Sequence, residues 1–275
     1  MTQQTDIKGP DWKHAWEMMR NQRMRPIRVE YDPEFMAKLA KDHSMIAGYN
    51  NYEYGKRATE ALGDKLDRDS KVLEIGAGPG TLTVPLSKKV KKIVVVESSG
   101  VAVESLKNNL NVCHVGNVEI INKNWLEIDK SEIEDSFDLV VCSHFLWQMK
   151  DLNKHLTKME EVSGRYCAVV QPAGRDSMVK EMWTEITGEP YMGQFDPDAD
   201  YFAYMILRKW GRLVNVRNIN YFIELDFDQE VRYIASFIGK FLKVDSQVIE
   251  TIEKYVSRKG LHGEEQSAVV MWWSK

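Results

Sequence analysis

Two carboxylates and three glycines stand at spacings that suit a ligand-binding loop. Glu74 leads into Gly76, Gly78 and Gly80 within the run Val72-Leu73-Glu74-Ile75-Gly76-Ala77-Gly78-Pro79-Gly80-Thr81, and Glu97 closes the apolar run Ile93-Val94-Val95-Val96. Glycines at alternating positions remove each β-carbon where a chain leaves a strand, so a ligand can lie directly on the backbone. An acid ending the next strand can accept hydrogen bonds from both hydroxyls of a ribose. A ribose-bearing ligand is therefore expected. A dinucleotide fits poorly, because the position where its loop wants the third glycine holds Thr81. Glu74 would also set a negative charge beside a pyrophosphate. An acid at this point suits a cationic ligand with an amino group and a sulfonium centre.

This arrangement resembles motif I of the class I S-adenosylmethionine-dependent methyltransferases, which reads acid-x-Gly-x-Gly-x-Gly at the end of the first strand. The resemblance implies S-adenosylmethionine as cofactor and S-adenosylhomocysteine as product. It implies that Gly76, Ala77, Gly78 and Gly80 lie along the methionine portion, that Glu74 attracts its ammonium and that Glu97 holds the ribose, with Ser98 beside adenine or ribose. Thr81 is expected to cap the following helix. Asn124 stands where the family has an Asp that accepts from the adenine amino group, and a neutral amide makes a weaker bond there. Trp125 is expected either to cover an adenine face or to fill a groove. Tyr49 or Tyr52, Tyr52 above all, is expected to touch the cofactor.

The stretch Phe137-Asp138-Leu139-Val140-Val141-Cys142-Ser143-His144-Phe145 resembles the family's fourth-strand motif. By that resemblance Asp138 is structural, while Ser143 and His144 face the methyl group. His144 is the one candidate general base, since an unperturbed imidazole titrates near neutrality. The Asn-Pro-Pro-Tyr motif of enzymes that methylate exocyclic amines of bases is absent, which speaks against a base-flipping nucleic-acid enzyme. Tyr191, Phe195, Tyr201, Phe202 and Tyr204 fall in a region that covers the acceptor pocket in this family and could form a lid. A nicotinamide dehydrogenase and a silent binding module on the same fold are the competing readings. Glu74 and Thr81 count against the first, and the intact run from Glu74 to Thr81 against the second.

The 275 residues carry a formal net charge of −4 and a pI near 5.9, so no global basic field would hold a nucleic-acid backbone. A small-molecule acceptor is expected, with a nucleic-acid partner disfavoured and a protein or tRNA acceptor as the alternative. No apolar stretch approaches a membrane span and no signal-peptide core is visible, so a cytoplasmic location is expected. Cys113, Cys142 and Cys167 are too scattered for a disulfide framework, and neither the cysteines nor the six histidines show metal-ligand spacing. No metal is expected.

Positioning these residues requires alternating strands and helices. Short apolar runs predict parallel strands near 71–75, 92–97, 118–122, 137–142 and 165–171, with helices near 81–90, 100–110 and 151–161 between them. A sixth strand is predicted within 213–227 and a final one at 268–273, with helices near 176–187, 199–210, 229–243 and 245–258. The fold class is α/β, a doubly wound, seven-stranded, mostly parallel sheet. Residues 1–48 are expected to form an N-terminal helical cover, with Trp12 and Trp16 on one helix face and Asp32 capping a second helix. Residues 49–275 form the methyltransferase domain, with a substrate-cover insertion at about 174–211.

Overall fold

The computed structural model describes residues 9–24, 33–133, 136–173, 177–191, 199–260 and 263–275; Asp32 and Phe195 lie outside them. Seven strands form one sheet: β1 (Lys71–Ile75), β2 (Lys92–Val96), β3 (Val118–Ile121), β4 (Phe137–Ser143), β5 (Ser163–Ala173), β6 (Asn215–Ile223) and β7 (Glu264–Ser274). Their order is β3-β2-β1-β4-β5-β7-β6. The first five pair in parallel, and β7 runs antiparallel between β5 and β6. The chain order reverses between β1 and β4, which opens a crevice at the carboxyl ends of those strands. Glu74 and the glycine loop sit at that reversal.

Helices cover both faces, which is why β1, β2 and β4 are apolar on consecutive residues. The even-numbered side of β1 packs with α3 (Glu53–Leu62), α4 (Thr83–Ser87) and α5 (Gly100–Val112) through Val72, Leu62, Leu82 and Leu106. The other side packs with α6 (Leu152–Val162), α8 (Ala199–Lys209) and α1 (Trp12–Met24) through Leu73, Ile75, Leu156, Ile206 and Trp16. Trp16 is fully buried and donates its indole N–H to the Met149 carbonyl at 2.8 Å, while Trp12 meets Tyr201 and Phe202 edge-on. Asp138 accepts from the Lys71 backbone N–H at 2.9 Å and pairs with Arg165, tying the amino ends of β4, β1 and β5 together.

A third apolar core joins α2 (Pro33–Tyr49), α7 (Ser177–Thr187), α9 (Phe227–Ile238) and α10 (Ser246–Lys259) through Ile46, Met182, Trp183, Ile234, Ile252 and Tyr255. α7 leaves the end of β5, and α9 and α10 connect the end of β6 to the start of β7. All three therefore emerge at the carboxyl edge of the parallel strands. Asn50, just past α2, locks that helix to the same edge: its amide donates to the Glu224 carbonyl at 3.0 Å and accepts from the Glu224 N–H at 2.7 Å. These four helices make a cap over the crevice. The expected insertion at 174–211 is thus divided, α7 entering the cap and α8 packing with α1 on the sheet face. The expected N-terminal cover divides likewise, α1 to the face and α2 to the cap.

Asp226 and Gln229 form a reciprocal capping box at α9, and Asp245 caps α10, which ends on left-handed Gly260. The helix after the glycine loop is shorter than the predicted 81–90: turns occupy Gly80 to Leu82, and no side chain caps it. Thr81 therefore precedes the helix rather than capping it.

Candidate active site

The three glycines all have positive φ, yet they do different things. A β-carbon on Gly76 would lie 2.3 Å from the Phe145 ring, and one on Gly80 would lie 2.5 Å from Leu106 on α5. Those two glycines admit the protein's own side chains. Only Gly78, at φ +55°, faces open space. The expectation that all three free the backbone for a ligand is corrected to one, Gly78, with Phe145 packed on Gly76. Ala77 is buried and its carbonyl accepts from the Gly80 N–H at 3.0 Å, closing the turn. Asn109 on α5 holds the loop from outside, donating to the Pro79 carbonyl at 2.8 Å.

Glu74 is 1% exposed, and neither carboxylate oxygen has a hydrogen-bond partner. Its neighbours in register are Val95 and Val141, both apolar. Burial, opposed by the neighbouring Thr83 hydroxyl and reinforced by the nearby Glu97 charge, pushes its carboxyl up to about 7. A buried carboxylate left without a donor is costly unless something external supplies one. An ammonium group does so, which is the fit test for S-adenosylmethionine at this loop.

Glu97 ends β2 beside Gly78. Its two oxygens accept from the backbone N–H groups of Gly78 at 2.9 Å and Ser99 at 2.8 Å. Each oxygen keeps lone-pair capacity for a hydroxyl. Asn122 fixes the same turn by donating to the carbonyls of Glu97 and Ser98, and Ser98 itself is exposed. The carboxylate is thereby aimed and immobilised, as gripping a ribose requires.

Other expected contacts are corrected. Trp125 is 2% exposed, and its indole N–H donates to His155 Nδ1 at 3.0 Å. Buried among core side chains, it offers no face to an adenine. Asn124 uses its amide oxygen to accept from the Leu126 N–H and its nitrogen to reach Glu127. Tyr52 takes a left-handed conformation before α3, and its hydroxyl lies 3.8 Å from the Cys113 thiol at the far end of α5. Tyr201 and Phe202 join the Trp12 cluster on the sheet face, away from any lid, because α8 buries its apolar side against α1.

Tyr54, two residues beyond Tyr52, occupies the site instead. Its hydroxyl is 2.7 Å from Ser143 Oγ, and its ring meets His144 at 4.9 Å and Tyr221 of β6 at 5.2 Å. The alternation of the turn 49–52 carried no signal distinguishing these tyrosines. The one available cue was helical phase, since Tyr54, Ala58 and Ala61 share a face of α3.

His144 sits just past β4 at φ +52°, a conformation few non-glycine residues adopt. Its N–H donates to the Val170 carbonyl at 2.9 Å, and its carbonyl accepts from the Trp147 indole at 2.8 Å. The residue is exposed at the carboxyl edge of the sheet. Burial, with smaller influences from His43 and Lys240, lowers its pKa to about 4. That lies below the near-neutral value expected for a general base. Among the described residues, no group of three or more His, Cys, Asp or Glu side chains could hold a metal ion. Two shallow surface hollows, one bounded by Phe227, Glu250 and Lys254 and one by Lys107, Leu110 and Val118, contain none of these residues.

Residues 58–159 match the family model described as "Ribosomal RNA adenine dimethylase". The chain is 29% identical over 148 residues to a "Ribosomal protein L11 methyltransferase" of Clostridium botulinum, covering 50% of this chain and 45% of that protein. It is 43% identical over 72 residues to a "Probable ribosomal RNA small subunit methyltransferase A" of Methanosphaera stadtmanae, covering 26% and 25%. The chain spans less than half the length of these curated relatives. Among solved structures, a cyclopropane-fatty-acyl-phospholipid synthase-like protein of Lactobacillus casei superposes with a TM-score of 0.52 at 15% identity, covering 82% of this chain and 92% of that one. The YcgJ protein of Bacillus subtilis does so at 0.50 and 14%, covering 79% and 95%. These two likenesses speak to fold alone. The matched family model and the curated relatives are methyltransferases, the fold is that of the class I S-adenosylmethionine-dependent enzymes, and S-adenosylmethionine is the cofactor of that class.

The same comparisons overturn the expected partners. A small-molecule acceptor with nucleic acid disfavoured was inferred from net charge and a missing motif. The matched family instead carries ribosomal RNA in its description, and the relatives carry a ribosomal protein or ribosomal RNA in their names. Net charge is a sum over the whole surface and says little about one face of it. The departure Cys142-Ser143-His144-Phe145 lies inside the matched residues, so it does not separate the chain from that family.

Proposed function

We propose that this chain transfers the methyl group of S-adenosylmethionine to a macromolecular acceptor, ribosomal RNA or a ribosomal protein, in the cytoplasm. The observation that carries the cofactor half is Glu74, a buried carboxylate without a partner beside the open backbone of Gly78 and the fixed carboxylate of Glu97. The acceptor half is supported by the descriptions of the matched family and relatives. No helix among the described residues is long and apolar enough to cross a membrane, which accords with that location.

When bound, the cofactor supplies an electrophilic methyl group. In this reading Glu74 pairs with the ammonium, Glu97 with the ribose hydroxyls, and Gly78 lets the ligand approach the backbone. Tyr54, Ser143 and Tyr221 wall the reacting side and exclude water. Methyl displacement demands alignment more than proton transfer, and a His144 ring with a pKa of about 4 is suited to shaping the pocket rather than storing a proton. The test is incubation of the full chain with methyl-labelled S-adenosylmethionine and intact ribosomal subunits, followed by separation of RNA from protein. Label in either polymer is expected. Label confined to small molecules, or none, would overturn the acceptor assignment.

A further inference from the structure

The two edges of the sheet are built differently. β3 ends it on one side with four residues, and Glu119 there pairs with Lys92. β6 ends it on the other with nine, in unbroken antiparallel register with β7. An edge strand turns the N–H and C=O groups of alternate residues away from its one partner. Proteins that leave such an edge to solvent guard it with proline, lysine, a bulge or a covering element. β6 has none of the first three. α3 packs on one of its faces, through Ile219 and Tyr221, and Arg217 reaches back to the Ala61 carbonyl of that helix. Among the described residues, no main-chain hydrogen bond joins residues 215–220 to any element but β7.

The other face of β6 holds Val216, Asn218, Asn220 and Phe222, all exposed, Val216 by 50% and Phe222 by 53%. Charge along this stretch has one sign at each end. From Tyr201 to Ile223 the chain has Arg208, Lys209, Arg212 and Arg217 and no acid; from Glu224 to Glu230 it has Glu224, Asp226, Asp228 and Glu230 and no base. Arg212 is held by Glu160 and Asp226 caps α9, whereas Arg208, Arg217, Glu224 and Asp228 are exposed and form no ion pair among the described residues. A second copy of β6 laid parallel would set like charge on like. Laid antiparallel, the basic half of each strand meets the acidic half of the other. Centred on Ile219, that register places Val216 opposite Phe222 and Asn218 opposite Asn220, each pair standing equally far from the centre. Exposed apolar side chains then meet exposed apolar ones, and amides meet amides.

We propose that two copies of this chain pair through β6 about a two-fold axis at Ile219, continuing the sheet from one copy into the next. The same patch serves both copies, and the short, charged β3 edge offers nothing to a third, so the assembly closes at two. Tyr221 of β6 meets the Tyr54 ring at 5.2 Å, so the interface braces the wall of each site. The inference stands apart from the acceptor assigned above and holds whichever polymer is methylated.

Sedimentation velocity of the full chain across a concentration series is expected to show a 31.8 kDa species passing into one of twice that mass, less readily at high salt. Val216→Lys and Phe222→Lys each put a charge on the open edge at an exposed position. Each is expected to weaken the dimer at least about tenfold while keeping the wild-type circular dichroism and S-adenosylhomocysteine affinity. The register is read by mixing chains carrying Asn218→Cys with chains carrying Asn220→Cys and oxidising with copper phenanthroline. The mixture should cross-link, since opposed Cα atoms stand about 4.5–5.5 Å apart, within disulfide reach. Either variant alone should cross-link far less, its two cysteines lying on a diagonal of about 7–8 Å. A wild type that stays monomeric at every concentration would overturn the proposal. A dimer unchanged by both lysines, or one that cross-links in each variant alone as readily as in the mixture, would put the interface elsewhere and overturn it too. So would a monomer that binds ribosomal subunits through Val216 and Phe222, which would give the edge to a strand of another protein.

Discussion

Replacing Glu74 by glutamine should stabilise the cofactor-free protein while damaging its affinity for the cofactor. The side chain is 1% exposed and its carboxyl is raised from an ordinary 4.5 to about 7. That difference is worth about 3 kcal/mol between the two protonation states. The sign follows from linkage: below the unfolded value both states carry the proton, and no penalty is present. As pH rises from 4.5 towards 7 the unfolded chain ionises freely while the folded protein still holds the proton, so stability is lost until the folded acid ionises as well. Glutamine keeps the shape and removes the charge. Urea midpoints of wild type and Glu74→Gln should therefore converge at about pH 4 and separate fully by about pH 8, the variant being more stable by about 3 kcal/mol at most. Taking the difference between the two proteins cancels the contribution of the depressed histidines. In the opposite sense, an ammonium ligand should bind wild type more weakly as pH falls below 7, by up to about tenfold per pH unit, with proton release on binding. The variant should bind more weakly at pH 8 and show no such dependence. Calorimetry with S-adenosylhomocysteine in buffers of different ionisation enthalpy reads both. A variant no more stable than wild type at pH 8, or a wild-type affinity flat from pH 8 to pH 6, would refute the argument that an uncompensated Glu74 awaits a cation.

Glu97→Ala removes the acceptor of two backbone N–H groups and of the expected ribose bonds, and S-adenosylhomocysteine affinity should fall by on the order of 2–4 kcal/mol by calorimetry. Gly78→Ala places a methyl group in open space at φ +55°, at a conformational cost of about 1 kcal/mol, so a folded protein with cofactor affinity reduced at least about tenfold is expected. Gly76→Ala should do the reverse, losing stability through collision with Phe145 at 2.3 Å, as a thermal melt would show. Tyr54→Phe deletes the 2.7 Å hydrogen bond to Ser143 and should cost about 1 kcal/mol of stability in urea titration, with a larger effect on methyl transfer than on cofactor binding.

The sheet was legible because each strand announces itself locally. Lys71–Ile75 and Lys92–Val96 are short apolar runs bounded by charges and glycines, and the antiparallel final strand carries the apolar run Ala268–Trp273. The cofactor side of the site was legible for the same reason: Glu74, Gly78 and Glu97 belong to one βαβ unit, where spacing in sequence fixes spacing in the fold. What escaped depends on rotation and on distance. Tyr52 and Tyr54 are two residues apart, and only the left-handed turn at Tyr52 decides that the second faces Ser143. Trp125 was given a surface or a groove by its neighbourhood, but its indole found a partner in His155, thirty residues on. Gly76 and Gly78 look identical in a motif, and only the position of Phe145 separates a packing glycine from a ligand-facing one.

The acceptor was the least legible part, and the reason is structural. Recognition of the methyl donor is built into consecutive residues, whereas the wall beside it is assembled from distant ones. Tyr54 of α3, His144 after β4 and Tyr221 of β6 meet through their rings, and Tyr54 reaches Ser143 through its hydroxyl. No window of sequence contains that wall. The formal charge of −4 is a sum over 78 charged residues and says nothing of any one face, which is why it misjudged the partner.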